Sequence, residues 1–482
     1  MNKGMLRQYQ KSLKERFNEE FIRLRDKENI VDYVSDICKA LQVVEGVEFL
    51  GCDVVTDESK FKTRGRENSK FVSIEESRLN LITMKFRISQ DGKQEVIEKS
   101  IYVPKLVDGF YFQLNSSRYY PILQVVDKST YNSRNAVVLK TLLMPIILRF
   151  KKTLIVDSAG KKYSGKVFSL NLFRHNVNIL HYYLGHTRMS SVLQYFGFGE
   201  EDMGFVANSD ITKEDVEKKT FFQFNKKNSL YVSKALLRQD SERRNFVINF
   251  VATLLNILNN RSNTQNVHDL EYWKKRLGGC FTKNTNNQLE KTKKILLSFK
   301  RILDSRTKFF LKVSPEDKKS IFSIIRWMMV KYETLMRKDN FDLANKRIRL
   351  SEYLVFPLLL KFSNSTYRIL NSKSVTFGVI KSMFNISPGF LISKLVSNEL
   401  LRYNGATNAI DLFTSALRFT CRGPQSMSAK SGASVSIRYR GIHPSYIGKV
   451  SLTASSAGDP GLSGMLTPFV KAPDLFFSEE ME

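Results

Sequence analysis

The sequence predicts an α+β protein of several domains, and three observations carry that expectation. Its 482 residues, 42% of them apolar, can bury two or three separate cores. Apolar periodicity changes along the chain from helical to strand-like and back to helical. After Gly405 the composition turns abruptly towards Gly, Pro and Ser, the residues of loops and turns.

The elements follow in order. Leu6, Leu13, Phe17, Phe21 and Leu24 fall at helical spacing, and Ile30, Val34, Ile37 and Leu41 repeat the pattern as a second helix. From Val47 the period becomes two. Runs at 81–88, 96–103 and 110–114, separated by the turn pairs Asp91-Gly92 and Asp108-Gly109, predict an antiparallel sheet. Past residue 150, short strand-like runs give way to helical stretches at 241–259 and 289–303, the latter dense in Lys and Arg, so a mostly helical lobe is expected. Residues 318–402 read as helices broken near Pro357, Ser372 and Pro388. No internal repeat interrupts this order.

Lys and Arg outnumber Asp and Glu by 76 to 47, a net charge of +29, which points to a polyanionic partner: nucleic acid first, an acidic membrane surface second. A membrane span needs about 18 apolar residues in a row. The densest apolar stretches, 137–148 and 355–360, contain Lys140, Pro145 and Pro357, and read as core. The opening MNKGMLRQYQKSLKERFNEE mixes acids and bases with no apolar segment of the secretory kind. Cys38, Cys52, Cys280 and Cys421 form no CxxC pair, which argues against a zinc knuckle or disulfide framework and fits a reducing cytoplasm. His181 and His186 are the closest histidines, but an i, i+5 pair on a helix diverges, so no metal site is expected there.

Between Asp411 and Asp459 there is no acidic residue, while Arg418, Arg422, Lys430, Arg438, Arg440 and Lys449 all fall inside. Repulsion by phosphate is a reason to exclude carboxylates from a loop-rich stretch; solvation alone is not. Lys430-Ser431 after Gly423 is no phosphate-binding P-loop, because Ala429 stands where a glycine is required. Phe110, Tyr111, Tyr119 and Tyr120 lie in strand-like runs and are expected in the core rather than stacked on bases.

Three segments carry a family resemblance. NAIDLFTSALRFTCRGP followed by SIRYRGIHPSYIGK, from Asn408 to Lys449, resembles the fork region of the second-largest (β) subunit of multi-subunit DNA-directed RNA polymerases. Asn408, Thr414, Arg418, Gly423 and Pro424 match the first half; Arg440, His443, Pro444, Ser445, Gly448 and Lys449 match the second. Upstream, DNFDLANKRIR keeps Asp339, Asn345, Arg347 and Arg349, and GFYFQLNSSRYYPILQ keeps Gly109, Asn115 and Gln124. All three lie in the family's order. Downstream, SSAGDPGLSGML keeps Gly458, Gly461, Leu462 and Leu466, with Ala457 where the family has a glutamate.

The resemblance implies a β-like architecture. Residues 1–150 would be the first part of the protrusion, 151–335 the lobe and 336–402 the second part of the protrusion. Residues 403–450 would be the fork, and 451–482 the start of a barrel region completed by another chain. Because the sequence stops at Glu482, where cellular β subunits continue, the implied protein is an N-terminal split fragment of the giant-bacteriophage type, working in the cytoplasm of the infected bacterium. Implied partners are a C-terminal β fragment, β′ fragments, a promoter-specificity subunit where one is required, template DNA and nascent RNA, and no membrane.

Nucleotidyl transfer needs carboxylates that hold two metal ions, and no D-x-D-x-D cluster occurs. In the family that cluster lies on β′, so Mg2+ is expected there and no cofactor on this chain. The contribution expected here is placement of nucleic acid by Arg418, Arg422, Lys430, Arg438, Arg440, Lys449, Lys346, Arg347 and Arg349, on a frame set by Asn345, Asn408, Gly423, Pro424, His443 and Pro444. For Arg440 and Asn345, internal pairing that fixes the fork is an equal alternative. His443-Pro444 reads as a turn starting a strand, not as an acid or base. The rival class is a stand-alone nucleic-acid-binding phage protein, which explains the charge but not three anchors in polymerase order; a nuclease would need the missing carboxylates.

Overall fold

The computed structural model describes residues 28–55, 76–90, 92–107, 111–173, 175–258, 264–349, 352–372, 375–395, 398–403, 405, 408–424, 426, 435–455, 458–467, 470, 472 and 476–477. The first expected helix, Gly109, Lys430 and Ala457 lie outside them. The chain forms two compact units. One contains the described residues up to Lys128, Asp304–Arg306 and Asp339 onward; the other is Ser129–Leu303 with Thr307–Lys338. The border expected at 150 falls inside the strand Pro145–Val156.

In the first unit, helix Glu28–Ala40 buries Ile30, Val34 and Ile37 as their spacing predicts. The runs at 81–88 and 96–103 join Val47–Val55 in the antiparallel sheet Val47–Val55, Leu79–Gln90, Lys93–Pro104, whereas the third run contributes Tyr111–Leu114 to a separate sheet. Its central strand is buried on both faces over its first half, where Leu79, Leu81, Ile82 and Met84 share the interior with the buried polar residues Asn80 and Thr83. The helix breaks fall where expected: Pro357 opens helix Phe356–Asn371 and Ser372 caps its end. Pro388 lies between helices Phe377–Met383 and Ile392–Leu395. Tyr111, Tyr119 and Tyr120 belong to a sheet of order Leu401–Tyr403, Ser117–Pro121, Tyr111–Leu114, Leu106–Val107. Tyr120 is buried and Tyr111 packs on the neighbouring core.

A four-stranded sheet then joins segments far apart in sequence. Its order is Lys346–Arg349, Leu123–Asp127, Arg418–Thr420, Ser463–Met465. Arg349 pairs antiparallel with Gln124, Thr420 pairs in parallel with Gln124, and Ser463 pairs antiparallel with Thr420. Leu123, Val125, Ile348, Phe419, Tyr446, Val450 and Leu466 form its core.

The C-terminal segment is itself paired within the chain. Residues beyond 450 find strand partners within this chain: Ser463–Met465 extends the sheet, Val450 bridges Leu466, and Phe476 bridges Arg347. Leu462, Leu466, Val470, Ala472 and Phe477 are buried. The segment extends this sheet, and its apolar residues cover part of the sheet's core.

The second unit is less helical than expected. It holds a five-stranded antiparallel sheet, His175–Asn178, Lys162–Leu172, Pro145–Val156, Ala136–Lys140, Thr130–Ser133, and a three-stranded one, Met203–Ala207, Asn228–Ser233, Lys219–Gln223. The predicted helices are present as Ser241–Ile257, capped by Asp240, and Gln288–Arg301. His181 and His186 share helix Ile179–His186 but diverge, one against Trp273 and the other stacked on Phe322.

Candidate nucleic-acid interface

Gln124 is the point at which the three family-like segments meet. Fully buried, it uses both ends of its amide: Nε2 donates to the carbonyl oxygens of Arg422 (2.7 Å) and Pro424 (3.3 Å), and Oε1 accepts from Arg349 Nε (2.6 Å). Arg349 also donates to the Pro424 carbonyl. A two-sided amide and a forked guanidinium thus fix the backbone that leaves the strand Arg418–Thr420. Gly423 allows this approach. Its φ is +108°, and a Cβ there would lie 2.9 Å from Leu400 Cδ1 and 3.0 Å from Gln124 Nε2.

Behind Arg349 lies a buried ion network. Glu352, 4% exposed, accepts bidentately from Arg347 at 2.9 and 2.7 Å and from Arg306 at 3.3 Å. Arg306 reaches Asp36 at 3.3 Å and lies 4.6 Å over the Tyr33 ring. Burial alone would push the Glu352 carboxyl up, yet the charges of Arg347, Arg306 and Arg349 and the hydrogen bonds from Arg347 hold it well below the ordinary carboxylate range. Burial pulls the Arg349 guanidinium below its ordinary value, with Glu352 opposing and Arg347 reinforcing the shift. Helix Glu28–Ala40, the short Asp304–Arg306 segment and the strand Lys346–Arg349 are thereby tied to the backbone at Arg422–Pro424.

The second half of the basic segment, 435–449, is braced separately. Asn345 Nδ2 donates to the Asp339 carbonyl at 2.8 Å, and the Leu343 amide donates to Ser445 Oγ at 3.0 Å. His443 accepts from the Ser445 amide through Nδ1, with Nε2 3.6 Å from Asp339. His443-Pro444 does not open a strand: His443 caps the single turn Pro444–Tyr446, and the Tyr446 hydroxyl donates to the Gly461 carbonyl at 3.0 Å. Asn408 caps helix Ala409–Ala416 through the Asp411 amide.

The predicted basic residues divide by environment. Arg347 and Arg349 are 8% and 1% exposed and their guanidinium groups are engaged internally. Lys346 pairs with Asp127 at 2.5 Å. Arg422 forms an ion pair with Asp459, the carboxylate that ends the acid-free stretch. Arg418 and Arg438 are exposed, with Arg438 4.7 Å over the Phe341 ring. Arg440 and Lys449 are half-buried, and Arg440 Nε has no hydrogen-bond partner among the described residues. Sequence reasoning missed Glu352, Arg306, Asp36, Tyr33 and Asp459. The available signal was the acid itself: Glu352 follows Lys346, Arg347 and Arg349, three basic residues of one short strand, where buried cations need a counter-charge.

Fold and site together define a multi-domain α+β protein with a basic, loop-rich segment braced by buried hydrogen bonds and ion pairs. Residues 2–476 match the family model of the non-virion RNA polymerase subunit, and the chain belongs to that family. It is therefore a subunit of an RNA polymerase, one part of a nucleotidyl-transferring complex with other subunits. No curated protein matches it. Among the described residues, no helix is long and apolar enough to cross a membrane.

Proposed function

We propose that this chain is the N-terminal portion of a β subunit made as a separate polypeptide in a phage polymerase, and that its fork holds template DNA and the RNA–DNA hybrid. The observation that carries the reading is the convergence of the three β-like segments on Gln124, where Arg349 and the Pro424 carbonyl meet. Segments matched independently in sequence share one hydrogen-bonded knot, as expected if each were retained for the same fork.

On this reading Arg418 and Arg438 are the principal phosphate contacts, with Arg440, Lys449 and Lys430 beside them. Arg422 and Lys346 have part of their charge taken by Asp459 and Asp127. Arg347 and Arg349 act as scaffold and leave the nucleic-acid set. The Mg2+ of the reaction is held by carboxylates on a β′ chain, and the remaining partners are the C-terminal β fragment and β′ fragments, in the cytoplasm of the infected cell.

The test is a salt titration of template binding by the assembled polymerase, with the melting temperature of each variant alongside. Arg418→Ala and Arg438→Ala should each lower the salt slope by about one unit and leave melting unchanged. Arg349→Ala should lower melting and leave the slope of surviving complexes intact. Unchanged slopes for both exposed arginines would remove the nucleic-acid assignment. Nucleotide incorporation by the chain alone with magnesium would remove the division of labour with β′.

A further inference from the structure

Away from the fork, the second unit contains a cavity of about 550 Å³ between helices Ile179–His186, Met189–Tyr195 and Ile321–Val330. Its charged lining is entirely cationic: Lys300, Lys308 and Lys319, with no carboxylate. None of the three has an ion-pair partner among the described residues, whereas Lys294, on the same helix as Lys300, pairs with Glu290 at 2.7 Å. The nearby Asp317 carboxylate accepts from Ser314 Oγ at 2.7 Å. Three lysines with no acidic partner therefore line one concavity, Lys300 and Lys319 exposed and Lys308 half-buried, an arrangement whose like-charge repulsion an anion would relieve.

Two further features of the wall suit an anion. Ser320 caps the helix Ile321–Val330 and satisfies the Ser323 amide at 3.1 Å, leaving the amides of Ile321 and Phe322, both in the lining, for another acceptor. His186 stacks on Phe322 with ring centroids 5.0 Å apart, and burial, then the positive charges of Lys300 and Lys274, push its pKa down. Tyr183, Tyr195 and Phe322 supply an aromatic side to the same cavity. The volume falls within the range of small-molecule sites, about 300–1,000 Å³, larger than a single inorganic anion needs.

We propose that this cavity binds the phosphates of a nucleotide, with Lys300, Lys308 and Lys319 holding a di- or triphosphate and the aromatic wall facing the nucleoside. Free nucleotide and the backbone of a nucleic acid share this phosphate chemistry; the clustering of three lysines beside an aromatic wall in one cavity of nucleotide size favours free nucleotide. The inference does not depend on the reading of the fork.

Calorimetric titration of the full chain with ATP, with inorganic triphosphate and with a short single-stranded oligodeoxynucleotide, at one salt concentration, tests it. ATP and inorganic triphosphate should both bind, and Lys300→Ala or Lys319→Ala should each weaken binding about tenfold, the effect of losing one charge-assisted contact. Lys283→Ala, an exposed cation outside the cavity, should change nothing, and melting temperatures should stay at the wild-type value. Oligonucleotide binding that depends on these lysines, with no binding of ATP, would make backbone phosphate the source. Absence of binding by all three probes, or a Lys283→Ala loss as large as that of Lys300→Ala, would overturn the proposal.

Discussion

Replacing Glu352 by Gln should destabilise the first unit more than any other single polar change in it. The carboxylate compensates Arg347 through two hydrogen bonds at 2.9 and 2.7 Å and Arg306 through a third at 3.3 Å. The side chains involved are only 4%, 10% and 13% exposed, so water can do little to replace it. Breaking a buried ion pair by removing one partner costs about 3–5 kcal/mol, since the other charge is left uncompensated. For a unit of this size that corresponds to a fall in melting temperature of about 10 °C. The pH dependence follows from the direction of the shift. Glu352 is more acidic folded than unfolded, so its contribution is complete above its ordinary value of 4.5 and fades as pH falls from there towards the folded value. Gln does not titrate. The difference between wild type and Glu352→Gln should therefore be greatest near neutrality and shrink in acid. Calorimetry of both proteins from pH 7 to pH 3 measures this. A melting temperature within about 2 °C of wild type at pH 7 would refute the claim that the network braces this unit.

Three further outcomes are expected. Gly423→Ala should cost about 1–3 kcal/mol, from its positive φ and the approach of Leu400 and Gln124, read as a lower urea midpoint. His181 is pushed down to about 4 by burial, then by Arg276, so it is neutral when folded. Its contribution is present above pH 6.5 and lost as pH falls towards 4, by about 3 kcal/mol in total; His181→Gln should flatten that limb of a stability–pH curve, and an unchanged limb would exclude His181 as its source. Asp459→Ala should free Arg422 and steepen the salt slope of template binding, the opposite of Arg418→Ala, with a slope equal to wild type counting against any role for Arg422 near phosphate.

The sequence by itself determined the local elements and the electrostatic character. Period-two runs became strands because alternate side chains meet opposite faces of a sheet, and helical spacing became helices wherever one face could be buried, as at Ile30, Val34 and Ile37. The basic, acid-free stretch after Asp411 and the three family-like segments were likewise legible in the chain alone. What each arginine does was not. Arg347, Arg349, Arg418 and Arg438 are the same residue type in similarly basic surroundings, yet the first two are buried and the last two exposed. The difference is set by Asp36, Gln124, Arg306, Glu352 and Pro424, brought together from distant parts of the chain. The pairing of Ser463–Met465 with Arg418–Thr420 was hidden for the same reason. A strand's periodicity tells which face is apolar, but its neighbour is chosen by the packing of the whole sheet, and only the tertiary structure contains that choice.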